Sequence, residues 1–129
     1  MVRNAKRFNV ACQGRRFGKS LLGLALAWYG APHCAGALRD GLNVGWFAPQ
    51  YKLLDEVWRT AKAFLRPYIQ RIDRQQHHLE LTTGGSLDFW TMDNPDCGRG
   101  RRYGLVLVDE AAMARNLEEA WTQAIRPTL

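Results

Sequence analysis

The chain has 129 residues, of which 47% are hydrophobic and 23% charged, and it carries a formal net charge of +6. One domain with a real core fits that length, and no apolar run approaches the roughly 18 residues that a membrane-spanning helix needs. Arginine outnumbers lysine among the 18 basic residues, which suits a polyanionic partner; a basic protein kept soluble by its charge is the plain alternative.

The N-terminal "MVRNAKRFNV" has basic residues but no apolar region or cleavage site behind them, so it is not a secretion signal. Phe8–Cys12 is a short apolar strand candidate that runs into "CQGRRFGKS". Leucines and alanines at helical spacing predict a helix within Ser20–Leu38, ending near Gly30 and Pro32. Asn43–Ala48 reads as a buried strand closed by Pro49, and Tyr51–Tyr68 as a helix with an apolar stripe through Leu53, Leu54, Val57, Trp58, Ala61, Phe64 and Leu65. His78–Thr82 and Ser86–Trp90 flank "TTGG", the pattern of a β-hairpin. After the polar, arginine-rich "MDNPDCGRGRRYG", Leu105–Val108 is a purely aliphatic strand, and a last helix is expected at about Leu117–Ile125.

Cys12, Cys34 and Cys97 are odd in number and form no CxxC pair, so reduced thiols are expected rather than a disulfide framework or a zinc knuckle. His77 and His78 are adjacent, and on a strand they would point to opposite faces, which suits turn or surface positions better than a metal site. Strands alternating with helices predict an α/β domain, a mostly parallel sheet with helices on both faces and the hairpin as an addition.

Two motifs carry chemistry. Gly18, Lys19 and Ser20 match the end of the phosphate-loop pattern G-x-x-x-x-G-K-[ST] between a strand and a helix, which predicts a P-loop NTPase. Gln13 stands where the first glycine should be, and Gly14 follows one position later. In this reading residues 14–20 wrap the triphosphate, Lys19 neutralises the β- and γ-phosphates, and the Ser20 hydroxyl ligates Mg²⁺. The second motif is "LVLVDE", an aliphatic strand ending in two carboxylates. Asp109 is expected to hold Mg²⁺ directly or through water, and Glu110 to orient and deprotonate the attacking water. That base favours ATP hydrolysis coupled to motion over a small-molecule kinase.

These residues resemble the large terminase subunit of tailed bacteriophages, the motor that packages DNA into proheads. The likeness rests on "GRRFGKS", on "WFAPQYK" at 46–52, on "NPDCGRGRRYGLVLVDEAAMAR" at 94–115 and on "WTQAIRPTL" at 121–129, in the family's order. It implies one partial ATPase domain over residues 1–129, ending before the coupling strand and without the nuclease domain that follows in the family. A shortened piece or a truncated reading frame would account for that ending. The expected activity is Mg-dependent ATP hydrolysis driving double-stranded DNA into the prohead. By resemblance the partners are DNA bound without regard to sequence, the portal protein, the small terminase subunit and further copies in a ring. The expected location is the cytoplasm of the bacterial host, with no membrane.

By the same resemblance, Arg15 matches an arginine that senses or stabilises the γ-phosphate, with Arg16 the weaker candidate. Gln13 and Phe17 complete the loop, and Gln13 is placed near the adenine. A solvated basic turn is the alternative for both arginines. The cluster from Arg99 to Arg102 suits DNA, a neighbouring subunit's nucleotide, or a solvated loop. Another P-loop ATPase, and a nucleotide-binding fragment without turnover, remain the alternatives for the whole chain.

Overall fold

The computed structural model describes residues 18–30, 37–94 and 96–129. The strand expected at Phe8–Cys12, the loop residues Gln13, Gly14, Arg15, Arg16 and Phe17, and Cys34 lie outside them.

The centre of the molecule is strand β1, Val44–Ala48, with all five residues buried. A strand covered on both faces must be apolar throughout rather than alternating, and "VGWFA" meets that demand. On one side β1 pairs in parallel with the last strand, Leu105–Val108 (β5). On the other side it pairs in parallel with Ser86–Thr91 (β4), which in turn pairs antiparallel with His78–Leu81 (β3). Beyond β3 comes an edge strand, Ile69–Asp73 (β2), and the order of the five is β2-β3-β4-β1-β5. Only β3 runs against the others, so the sheet is mostly parallel. The β3–β4 unit is therefore no mere addition: β4 is an interior strand shared by the parallel and antiparallel halves.

Two helices cover one face. Helix α1, Gly18–Tyr29, buries Gly23, Leu24, Ala27 and Trp28; helix α2, Tyr51–Phe64, buries Leu54, Val57, Trp58 and Ala61. Those positions on α2 recur at the 3.6-residue period, and they join Trp46, Leu87 and Phe89 in one core. The helical stretch expected to reach Tyr68 stops at Phe64, and Arg66–Tyr68 forms a 3₁₀ turn. Pro67 has no N–H with which to continue the α-helical ladder.

The opposite face is covered by the C-terminal segment, in which Leu117–Glu119 (α3) continues as wider π-type turns over Ala120–Ile125. Ala120 and Ile125 pack there with Phe47, Met92, Cys97 and Tyr103. Burial pushes the Cys97 thiol pKa up, so it behaves as a core side chain.

One buried charge interrupts this second core. Asp88, on β4, is 3% exposed. Its carboxylate accepts a hydrogen bond from the Tyr103 hydroxyl at 2.7 Å and meets His78 Nδ1, while Arg101 Nε stands 3.9 Å away. Trp90 Nε1 donates to the Tyr103 oxygen at 2.8 Å. A buried carboxylate is tolerated only when its lone pairs are met in this way. Burial first, and then the Asp88 charge, push the Tyr103 pKa far above its ordinary value. His77, next in sequence to His78, sits in the preceding turn at φ 52 with its ring edge-on to Tyr51 and Trp58.

Candidate functional site

The C-terminal ends of the parallel strands are where open α/β sheets bind ligands, because helix N-termini and loops converge there. Past the end of β5 the Asp109 N–H still donates to Phe47 O at 2.8 Å, which extends the ladder one residue and fixes the Asp109 backbone against β1. The chain then breaks away. Glu110 takes φ 49 and ψ 42, the left-handed region that costs a side-chain-bearing residue free energy, and its carbonyl accepts from the Met113 N–H at 2.9 Å.

From the other side of the site comes Lys19, the second residue of α1. Its Nζ donates to Glu110 Oε1 at 2.5 Å and lies 3.4 Å from Asp109 Oδ1. The pair joins positions 91 apart in the chain. The Glu110 hydrogen bond, aided by attraction to both carboxylates and opposed by partial burial, raises the lysine pKa, so the group is a cation throughout the neutral range. The side chains of Lys19 and Glu110 are 27% and 30% exposed, and that of Asp109 10%. These are reachable groups, not core.

Ser20 follows Lys19 on α1 and is half-buried. Of the loop residues expected to join this site, Gln13, Gly14, Arg15, Arg16 and Phe17 lie outside the described residues. The arginine cluster is placed elsewhere. Arg99 pairs with Asp96 at 2.9 Å, Arg101 leans toward Asp88, and Arg102 lines a cleft with Gly41, Asn43 and Pro127. That cleft lies before the first residues of β1 and β5, at the opposite end of the strands. Sequence reasoning passed over Asp88 entirely. The available signal was a charged residue in the middle of the apolar strand "SLDFWT".

Among the described residues no group of three or more His, Cys, Asp and Glu side chains is placed to hold a metal ion, and no helix is long and apolar enough to cross a membrane. An α1 lysine facing two strand-end carboxylates across a mostly parallel sheet defines an α/β domain with a charged site at its switch end. The comparisons make this more particular. Over 126 residues the chain is 28% identical to the large terminase subunit of Escherichia phage T5, a match covering 95% of this chain and 27% of the relative. In three dimensions it is similar to the ATPase domain of the Thermus phage P74-26 large terminase, with a TM-score of 0.70 and 25% identity over 93% of this chain and 53% of that one. A mutant of the same domain gives a TM-score of 0.69 at 24% identity, covering 93% and 54%. No family model matches. The resemblance read from the sequence is thus met on both counts: along nearly its whole length the chain is similar to phage large terminase subunits, in their ATPase domain. It spans 27% of the curated relative's length and 53% of the structural one's.

Proposed function

We propose that this chain binds and hydrolyses Mg-ATP as the ATPase part of a terminase large subunit, and that in the whole protein hydrolysis drives double-stranded DNA into a prohead. The observation that carries the reading is the convergence of Lys19 with Asp109 and Glu110 at the ligand-binding end of the sheet. The likeness to a terminase ATPase domain supports it independently.

The donor set suits the metal. Mg²⁺ is commonly held by one or two carboxylates together with substrate phosphates rather than by a full protein cage. Asp109 and Ser20 offer hard oxygen donors of that kind, and when bound the ion would neutralise phosphate charge. Lys19 would turn from the carboxylates toward the β- and γ-phosphates, and the start of α1 would present backbone N–H groups to them. That turn would free Glu110 to accept a proton from the attacking water and hold it in line. Arg15 would stabilise charge developing on the γ-phosphate, with Arg16, Gln13, Gly14 and Phe17 forming the rest of the loop. DNA would be held through its phosphates, since packaging is indifferent to sequence.

The test is a titration of fluorescent Mg-ADP and Mg-ATP against the chain and its variants. Lys19→Ala should lose about tenfold or more in affinity, because charge-assisted bonds dominate phosphate recognition. Glu110→Gln should still bind but hydrolyse on the order of a hundredfold more slowly. Equal affinity for Lys19→Ala would remove the site assignment. A phosphorylated small acceptor among the products would point instead to a kinase.

A further inference from the structure

Inside helix α1 sits Gly23, the least favourable ordinary helix residue after proline. A Cβ built there would stand 2.6 Å from Cη2 and 2.9 Å from Cζ3 of Trp46, closer than carbon atoms approach. The helix therefore rests directly on the indole. Trp46 is 2% exposed, lies mid-strand in β1 and is braced by Phe89, whose ring centroid is 6.1 Å away. The indole Nε1 is buried without a hydrogen-bond partner among the described residues. A phenylalanine would leave no such orphan donor. Two locally unfavourable choices meet at one contact, a pattern found where position matters more than stability.

What the contact positions follows from the helix and the sheet. Gly23 is four residues after Lys19, so both lie on the same face of α1. Trp46 is in register with Leu107 of β5, two residues before Asp109. The depth at which Gly23 meets the indole thus governs the height of the Lys19 stem above Asp109 and Glu110. We propose that Gly23, seated on Trp46, is a positioning residue that sets the reach of Lys19 over the two carboxylates. A methyl group at Gly23 has to lift the helix or tilt a ring already flanked by Phe89 on the neighbouring strand.

The inference rests on the nucleotide reading for its consequence, so its test uses one readout with nucleotide and one without. In the full chain, the ¹⁵N ammonium resonance of Lys19, assigned with Lys19→Arg, reports the ion pair directly. Gly23→Ala should shift or broaden that resonance away, and should weaken fluorescent Mg-ADP binding by about tenfold or more. Adding Trp46→Phe, which removes the ring atoms the methyl would strike, should bring the resonance back and restore affinity to within about twofold of the parent. A folded Gly23→Ala chain with parental resonance and affinity would overturn the proposal. So would a double variant as impaired as the single one. Should Gly23→Ala alone fail to fold, the double variant decides: recovery of the resonance supports the proposal, and its absence overturns it. If Lys19→Ala binds nucleotide as well as the parent, the nucleotide reading fails, and the ammonium resonance still decides the positioning role.

Discussion

Among the described residues, one cluster is centred on Asp88 and another on Asp109 and Glu110, and they are built for opposite ends. Asp88 lies in mid-sheet, 3% exposed, with Tyr103, His78 and Arg101 around it. Asp109 and Glu110 lie at the strand ends, share a single lysine ammonium, and in Glu110 hold a left-handed backbone. Around the first cluster Tyr103 and His78 are held in the packed interior and cannot leave without opening the core, while Arg101 reaches in from an exposed loop. In the second, Lys19 and Glu110 are exposed enough to exchange each other for a ligand. Charge alone is a poor pointer to a binding site; charge with replaceable partners, on strained backbone, is a better one.

The comparison can be broken most forcefully at Asp88. Asp88→Ala should cost about 3 kcal/mol of stability, because it leaves the buried Tyr103 hydroxyl and the His78 ring nitrogen without their acceptor. Urea denaturation gives that loss, and nucleotide affinity per folded molecule should stay within about twofold, since the cluster is separate from the site. Next is Tyr103→Phe, expected to cost about 1.5 kcal/mol. Burial raises the Tyr103 pKa in the folded state, so its contribution is whole below the unfolded value near pH 10 and is lost as pH climbs. The variant should flatten the alkaline limb of the stability curve, leaving the later loss from Lys19, whose pKa is also raised.

Glu110→Gly has the opposite sign. Glycine accepts φ 49 freely, so the variant should gain up to about 1 kcal/mol even after losing a half-exposed ion pair. Turnover should fall on the order of a hundredfold or more in a phosphate-release assay. A variant that gained no stability would show the strain to be absent. The smallest effect is expected at His77. Burial lowers its pKa below the ordinary 6.5, so its contribution is present above about pH 6.5 and lost on acidification. His77→Asn keeps a residue tolerant of the left-handed turn. It should reduce the loss of stability between about pH 7 and pH 5 by a few tenths of a kcal/mol, read as urea midpoints at the two pH values.

Legibility in the sequence followed the strength of the local pattern. β1 announces itself because a strand buried on both faces must be an unbroken apolar run, β5 because its four residues are all aliphatic, and α2 because its buried residues keep one period. β2 went unread: "IQRID" is an edge strand with a register irregularity near Ile69, so its alternation is too short and too polar to register. The pairing of Lys19 with Asp109 and Glu110 follows from two motifs whose spacing is known in advance. The Asp88 cluster has no such template. It depends on His78 from β3 and on Arg101 and Tyr103 from the loop before β5 arriving together, which only tertiary packing decides. Similarly, nothing in "LLGLALAW" shows that its glycine meets a tryptophan ring.

The double membership of β4, antiparallel to β3 and parallel to β1, has a kinetic consequence. His78 and Asp88 are only 10 positions apart, so the hairpin closes a short loop and can form on the microsecond scale of isolated hairpins. Pairing β1 with β4 and then β5 with β1 closes progressively longer loops, each entropically costlier before any contact rewards it. The Lys19–Glu110 contact, spanning 91 positions, stands at the far end of that order. Pulse-labelled hydrogen exchange should therefore find β3–β4 amides protected first and the Asp109 amide among the last. An order of protection that began at β5 would show that the hairpin is not the seed on which the sheet grows.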